Sequence, residues 1–375
     1  MRRVAAWAGA AVLIGSCLAA ADRAAAAEPS VPAAPKWNPG HYMLVWGGYT
    51  HRHFDCLAGS ALQGAQVRYE WRDLEPRKGE YDFSKIESDL AYLEKLGKRL
   101  FMQLMDRRFH SSGRPLPDYL YDDPAYGGGA EPFQGKGGSV ARVWDPAVRE
   151  RMTALLRALG RRFDREPHFE GFAFEESAIA VDRQKARGFT PRAYLDGLKE
   201  LMRAAKEAFP HTTVIEYANW MASPPGALKE LAEHCRQVGA GWGGPDVVPD
   251  GAAGRAPRTR IPAYDLYPLY AGKMPLGTAV QTPSFGGKEG RFTLDELYAM
   301  GTQTLKLNYM FWIRVEGANY SHSFTRDILP FINARKGAIN ADRPENLRPR
   351  TPDRPPAPAA PVASNAPETR PGGGP

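Results

Sequence analysis

Eight short apolar segments alternate with longer amphipathic stretches between residues 40 and 338, and this alternation limits the folds open to the chain. We interpret the segments as β-strands at 42–48, 65–71, 99–105, 169–175, 213–219, 238–242, 278–283 and 306–312. Strands separated by helices predict a parallel sheet with right-handed crossovers. Eight such units close into a (β/α)8 TIM barrel, the α/β fold that we expect here as a single domain. An open doubly wound sheet is the alternative, although no GxGxxG follows the first strand.

The helices between the strands are marked by capping residues and apolar faces. Ser84 is expected to cap a helix that ends at Gly97, and Asp145 and Thr190, each followed by proline, open two more. Apolar periodicity predicts further helices at 226–237, 293–303 and 323–335. The segment 106–145 after the third strand is too long for a simple connection, so we expect it to form a functional lid or a cleft wall.

The first 27 residues have the features of an export signal. Arg2 and Arg3 precede the apolar run "VAAWAGAAVLIGSCLAAA", and small residues follow in "AAAAEPS". This order predicts a signal peptide at 1–27, a short linker at 28–39 and a periplasmic or secreted protein without a permanent membrane span. A second interpretation is open, because "LIGSC" resembles a lipobox and would make Cys17 a lipid anchor.

The other end of the chain has a composition that does not favour folding. The last 35 residues contain ten prolines and end in "PGGGP". Such a segment buries too little apolar surface to offset its ordering entropy, so we expect a disordered Pro-rich tail at 339–375. The folded barrel domain is therefore predicted to span 40–338.

Charge and cysteine content exclude some partners. The formal net charge is +7, but no Lys/Arg-rich block stands outside the signal segment, so we expect no nucleic-acid partner. We expect a monomer that binds no cofactor. Beyond the signal segment only Cys56 and Cys235 remain, and the sequence leaves open whether they pair or stay free.

The ends of the predicted strands are rich in carboxylates, amides and tryptophans. In a barrel of this kind the chemistry lies at the carboxyl ends of the strands. Sugars suit this profile, because they carry hydroxyls for hydrogen bonds and apolar faces for stacking on aromatic rings. We therefore expect a carbohydrate substrate, bound by Arg68, Trp71, Gln103, Asp106, Arg107, Glu175, Asn219, Trp220, Trp242, Gln281 and Trp312. Trp46, at the end of the first strand, belongs to the same rim.

One stretch of this rim stands out. In "FEGFAFEESAI" (169–179) an apolar strand ends on two adjacent carboxylates, Glu175 and Glu176. A pair of carboxylates is the usual apparatus for cleaving a glycosidic bond. We predict that Glu176 is a general acid whose protonated form is favoured by an apolar wall and by the neighbouring charge of Glu175. Glu176, Trp242 and Trp312 are expected to open on the same face of the barrel.

The segment "GAQVRYEWRDLEPRKGEYDFSKIESDLAYLEKLGKRLFMQLMDRRF" (64–109) resembles the strand 2 to strand 3 region of clan A glycoside hydrolases, especially the β-galactosidase-like branch. The resemblance implies a barrel glycosidase in which Glu176 matches the acid/base glutamate at the end of strand 4, where Glu175 replaces the usual asparagine. It also implies that Trp312 lies under the reacting sugar. The chain departs from the clan at the end of strand 7, where Gln281 stands in place of the nucleophilic glutamate.

The departure at Gln281 means that the second carboxylate must come from elsewhere. Asp246 is our first candidate, because "GWGGPDVVP" places it on a Gly/Pro-shaped loop just after the sixth strand. Glu216 is the second candidate, although a packing role within the fifth strand is an equal interpretation. Glu316, shortly after the last strand, is the third.

Two other functional classes stay open. A catalytically silent carbohydrate-binding barrel would explain Gln281. A metal-dependent hydrolase is suggested by His51-Arg-His53 after the first strand, but His211 and His234 are not at the strand exits that such a site needs. We expect no bound metal. Ser177 has no G-x-S-x-G context, which argues against a serine hydrolase.

Overall fold

Eight parallel strands close into a barrel in the computed structural model of the protein, which describes residues 35–109, 113–135, 137–221, 224–251, 260–285 and 290–348. The strands are β1 Gly40–Val45, β2 Gly64–Glu70, β3 Arg99–Met105, β4 Phe169–Ala173, β5 Thr213–Tyr217, β6 Gly241–Gly244, β7 Leu276–Val280 and β8 Tyr309–Ile313. Each pairs with its neighbours in sequence, and β8 pairs with β1. This confirms the (β/α)8 barrel and excludes the open sheet. We call the carboxyl ends of the strands the mouth and their amino ends the floor.

In the described part of the chain six longer helices surround the barrel, and each matches a predicted one. They are α1 Ser84–Lys95, α2 Pro146–Phe163, α3 Pro191–Ala208, α4 Ala227–Val238, α5 Leu294–Ala299 and α6 Leu329–Ala334. A π-helical turn extends α5 over Met300–Thr304, and another, Phe324–Ile328, leads into α6. Short helical segments are Trp71–Leu74, Asp118–Asp122, Tyr267–Tyr270 and Thr282–Phe285, with 3-10 turns at His51–Leu57, Pro124–Tyr126, Pro249–Gly251, Pro262–Leu266 and Glu345–Leu347.

Two of the three predicted helix caps are present. The Asp145 side chain accepts a hydrogen bond from the Ala147 N–H, and the Thr190 side chain accepts one from Ala193, each at 3.0 Å. The prediction for Ser84 is wrong, because Ser84 is the first residue of α1 and its own N–H is bound by Asp82 at 2.9 Å. An N-terminal donor of α1 is thus satisfied by a side chain two residues upstream.

Aromatic rings fill the lower half of the barrel. Tyr42, Phe101, Tyr309 and Phe311 meet at its centre, with the Phe101 and Phe311 ring centroids 4.8 Å apart. Gly171 makes room for them, because a Cβ atom there would lie 2.1 Å from the Phe101 ring. This packed layer closes the barrel below, so that any ligand must enter from the mouth.

The long segment after β3 folds against the mouth. Residues 107–108, 139–141 and 130–132 form a small antiparallel sheet in that order. Phe133, just after the sheet, bridges to Val181 in the loop that follows β4. The described part of this segment therefore forms a wall beside the carboxyl end of β4. A cleft wall is one of the two roles predicted for it.

Both ends of the described chain pack on the floor. The Lys36 ammonium donates to the Glu166 carbonyl at 2.9 Å, and Asn38 Nδ2 donates to Glu170 Oε2 at 2.7 Å. Trp37 Nε1 donates to the Ala341 carbonyl at 2.8 Å, and Leu347 is buried. The predicted domain limits of 40 and 338 are thus too narrow, since 35–39 and 339–348 also belong to the folded unit. The expected signal peptide, Cys17 and residues 349–375 lie outside the described residues.

Two further observations concern the described residues alone. Cys56, half-buried after β1, and Cys235, buried in α4, are free thiols, so the two do not pair. None of the described helices combines the length and the apolar character needed to cross a bilayer.

Candidate active site

Arg68 links three strands at the centre of the mouth. It lies on β2 two residues after Gln66, which donates to the Tyr217 hydroxyl inside the barrel, so Arg68 points inward as well. Arg68 Nε donates to Gln103 Oε1 at 2.9 Å, and Nη2 donates to Gln281 Oε1 at 3.4 Å. Arg68 Nε also lies 3.6 Å from Glu175 Oε1. Four residues predicted for the site therefore meet here: Arg68 on β2, Gln103 on β3, Glu175 just after β4 and Gln281 just after β7.

The two carboxylates after β4 differ in exposure. Glu175 is buried, and burial raises its pKa despite the opposing charges of Arg68 and Arg107. Glu176 is half-buried; burial, the Glu175 charge and the Asp246 charge together raise its pKa to about 7. The Asn219 amide donates to the Glu176 carboxylate, which opposes part of this rise. Glu176 is therefore partly protonated near neutral pH while it remains accessible.

Asp246 supplies a further carboxylate to the same mouth. It follows β6, it is half-buried, and its Oδ1 is inaccessible and has no hydrogen-bond partner among the residues that the structure describes. Burial raises its pKa to about 6; the Arg68 charge opposes the rise and the Glu175 charge adds to it. An unsatisfied buried carboxylate oxygen is costly, so we expect a water molecule or a ligand to bind it.

A buried ion pair fixes the backbone of the acid. Asp106 and Arg107 follow β3, and their side chains form a two-bond pair, with Nε–Oδ1 at 2.7 Å and Nη2–Oδ2 at 3.1 Å. Arg107 Nη1 also donates to the Glu176 carbonyl. Both residues were predicted to bind substrate. The structure instead places them behind Glu176, where they position it.

Aromatic side chains flank the carboxylates. Trp46 lies after β1 with the Arg68 guanidinium 4.8 Å from its ring centroid, and Trp220 follows Asn219 after β5. Phe109 and Phe133 stack at 5.6 Å and line a cavity of about 160 Å³ together with Glu176. The two phenylalanines were not predicted, because they come from the long segment after β3, whose path no local sequence pattern specifies.

Three predicted tryptophans do not reach the mouth. Trp71, Trp242 and Trp312 are fully buried. Trp312 Nε1 donates to His41 Nδ1 at 2.9 Å, and Trp71 Nε1 donates to Glu75 Oε2 at 2.9 Å, both on the helix side of the barrel. The expectation that Trp312 lies under a reacting sugar is therefore wrong. Its strand neighbours face inward instead, because side chains alternate along a strand.

The second and third candidates for the partner carboxylate also lie elsewhere. Glu216 is fully buried on the outer face of β5, and burial raises its pKa well above the usual value. It lies near Cys235 of α4, whose pKa a charge on Glu216 would raise. Glu316 accepts hydrogen bonds from Ser323 and Thr325, which hold the loop after β8. Of the three, Asp246 is the carboxylate whose charge acts on the pKa of Glu176.

The four histidines considered for a metal-dependent hydrolase each bind a different partner. His51 pairs with Asp89 at 3.0 Å, and the Thr50 N–H donates to His53 Nδ1 at 3.1 Å. His211 pairs with Asp164 near the floor, and His234 bonds the Lys199 carbonyl. Among the described residues, no group of three or more His, Cys, Asp or Glu side chains is arranged to hold a metal ion.

Solved structures share this fold at low sequence identity. A GH5_18 variant from Streptomyces cattleya, in complex with Manβ1-4GlcNAc, matches at 15% identity and a TM-score of 0.53, over 82% of this chain and 83% of that one. Endo-glycoceramidase II from Rhodococcus sp. matches at 11% identity and a TM-score of 0.50, over 80% and 81%. No family model and no curated protein sequence matches the chain. The protein thus has the barrel fold of clan A glycoside hydrolases.

Proposed function

We propose that the protein is a glycoside hydrolase that cleaves a poly- or oligosaccharide by carboxylate general acid/base catalysis. The observation that carries this proposal is Glu176, an accessible glutamate at the end of β4 whose pKa is raised to about 7. A carboxylic acid kept protonated near neutral pH is suited to protonating a glycosidic oxygen. The shared fold with glycoside hydrolases supports the same class of reaction.

The surrounding residues suggest how the reaction proceeds. Glu176 donates its proton to the leaving oxygen while Asp246 takes a proton from the attacking water. Gln281 cannot act as a nucleophile, and both ends of its amide are engaged, since Nε2 donates to the Pro245 carbonyl at 2.5 Å. Attack by water through Asp246 requires a carboxylate separation of about 6.5–9.5 Å and inverts the anomeric centre. Gln103, predicted to bind substrate, is fully buried with its amide held between Arg68 and the Phe174 carbonyl, so Arg68 is left to bind sugar hydroxyls.

The direct test is an activity screen. The purified protein is incubated with polysaccharides and aryl glycosides, with and without EDTA, and proton NMR records which anomer forms first. We expect EDTA-resistant hydrolysis with inversion. Hydrolysis that EDTA abolishes would instead support a metal-dependent enzyme, and retention would exclude Asp246 as a base acting through water.

A carbohydrate-binding barrel without activity is the second candidate. The observation in its favour is Gln281, an amide at the strand 7 position where the clan carries its nucleophile. Calorimetric titration against the same polysaccharides separates the two proposals. Binding of a glycan that is never cleaved, over the full substrate panel, would favour the silent barrel.

The raised pKa values predict a narrow pH profile. Asp246 must be ionised to act as a base, so kcat/KM should fall below its pKa of about 6. Glu176 must be protonated to act as an acid, so kcat/KM should fall above its pKa of about 7. We expect a bell-shaped profile with its maximum between these values. A plateau that extends to pH 9 would contradict Glu176 as the acid.

We also propose that the protein is exported, from the charged and apolar character of residues 1–27. Cleavage of a signal peptide predicts a mature chain that begins near Glu28, whereas a lipoprotein would begin at a modified Cys17. Intact mass and N-terminal sequencing of the natively expressed protein distinguish the two. A cytoplasmic chain that retains its first residues would disprove export.

A further inference from the structure

Two exposed tryptophans face solvent at the barrel mouth. Among the described residues three large apolar side chains remain exposed: Trp46 at 39%, Trp220 at 44% and Leu269 at 54%. Single exposed apolar residues are ordinary on protein surfaces. Two exposed tryptophans on the same rim as the carboxylates indicate a binding surface, because an indole offers a broad apolar face to a ligand.

The two indoles lie on opposite sides of the mouth. Trp46 follows β1 and Trp220 follows β5, and these strands are four places apart in either direction around the closed ring of eight. Strand spacing and tilt give such a barrel a backbone diameter of roughly 15 Å. Glu175 and Arg68 lie between the two sides. A ligand that touches both tryptophans must therefore cross the carboxylate cluster and extend over several sugar units.

The Trp46 ring and the Trp220 backbone are both held in place before any ligand binds. The Arg68 guanidinium covers part of the Trp46 ring and leaves the rest of its surface exposed. The Trp220 backbone N–H donates to Asn219 Oδ1 at 2.7 Å, and Ser177 Oγ donates to the Trp220 backbone carbonyl at 3.0 Å. A ring or a backbone that is already fixed costs little conformational entropy on binding, which favours affinity.

The cleft continues past Trp46, away from Glu176. A cavity of about 400 Å³ is lined by Trp46, Arg68 and Lys85. It shares Lys85 with a second groove of about 530 Å³ that reaches His51. An enzyme that removes units from a chain end needs a closed pocket on one side of the cleavage point. In the described part of this mouth, the Trp46 side leads into open groove, and Trp220 on the other side is 44% exposed, so neither tryptophan stands in a closed pocket.

We propose that the mouth binds an internal stretch of a polysaccharide, with Trp46 and Trp220 stacking on sugar rings on opposite sides of the cleaved bond, so that the enzyme acts within the chain. This inference rests on the proposed glycosidase function. The bond between the anomeric carbon and the bridging oxygen breaks, and the Glu176 proton goes to that oxygen. The water oxygen joins the anomeric carbon, and Asp246 takes the water proton.

The test compares products and variants on defined polymers. Wild-type protein is incubated with hydroxyethyl cellulose, galactomannan and laminarin, and viscosity is followed against released reducing ends. On the polymer that is cleaved, viscosity should fall steeply while few reducing ends appear. Trp46→Ala and Trp220→Ala should each raise KM for that polymer about tenfold, and less for a short aryl glycoside. Tyrosine at either position should recover most of the loss, and Leu269→Ala is the matched exposed control.

The outcomes separate this inference from the function on which it rests. Exclusive release of terminal mono- or disaccharides, or an equal KM change in all three alanine variants, would overturn the inference and leave the glycosidase proposal standing. No cleavage of any substrate would overturn both the glycosidase proposal and internal cleavage. The platform role is then judged on its own by polymer affinity, which the two tryptophan variants should weaken about tenfold and Leu269→Ala should leave unchanged. Thermal unfolding of every variant identifies loss of folding.

Discussion

Glu176→Gln is expected to lower hydrolysis of a natural glycan by roughly 10²–10⁴, the usual contribution of a positioned general acid. Glutamine keeps the shape of the side chain and can still contact Asn219, but it has no acidic proton to give. Aryl glycosides with activated leaving groups should lose less, because their leaving oxygen needs little protonation. The alkaline limb of the pH profile should disappear as well, since Glu176 is the group that deprotonates near pH 7.

The matched control for this variant is Glu316→Gln. Glu316 also follows a barrel strand, but its carboxylate is engaged by Ser323 and Thr325 in the loop after β8. Kinetics on one glycan and on one activated aryl glycoside, for both variants, give the comparison. Near wild-type hydrolysis of the glycan by Glu176→Gln would remove the acid from the mechanism.

Asp246→Asn is expected to reduce kcat by a similar factor, roughly 10²–10⁴, because it removes the group proposed to activate water. Activated leaving groups should not restore this loss, since the missing step lies on the attacking side. The acid limb near pH 6 should vanish with the carboxylate. These signatures distinguish the base from the acid, although the two kcat losses are alike in size.

Glu216→Gln serves as the control for the base. Burial raises the pKa of its carboxyl well above the usual value, which favours the uncharged form, and the amide keeps that shape without a charge. It lies behind β5 and touches no part of the mouth, and we expect activity close to wild type. Thermal unfolding checks that the buried amide is tolerated. If Glu216→Gln lost as much kcat as Asp246→Asn at unchanged stability, the choice of base would be wrong.

The barrel could be predicted because its strands leave a strong local signal. The sequence predicts the third strand at 99–105, where the structure has it, and the starts of the fourth and fifth strands also agree; the remaining strand boundaries differ by one to three residues. Asp246 could be placed at the mouth because glycines and a proline shape its loop. Because all strands of the barrel are parallel, the residues that follow them lie at the same end of the barrel, and this can be predicted without knowing how the side chains pack.

The orientation of side chains within a strand could not be predicted in the same way. Strands of a parallel barrel are apolar on both faces, so the sequence "YMFWI" does not show that Trp312 faces the helices while Phe311 faces the interior. The same ambiguity applies to Glu216 on β5, whose side chain faces the helices and not the barrel interior. Phe133 was missed for another reason, because its position depends on the small sheet that follows β3 and on its bridge to Val181.

The packing of residues 35–39 and 339–348 on the floor determines how the barrel can be attached to other structures. The Arg343 guanidinium donates to the Pro35 carbonyl at 2.7 Å, which ties these two segments together on the side opposite Glu176. A carrier protein or an affinity tag joined directly at residue 35 or at residue 348 would therefore be connected at the base of the barrel. A barrel tethered at either residue would present its substrate cleft outward, and immobilisation there would leave that cleft accessible to long polymers.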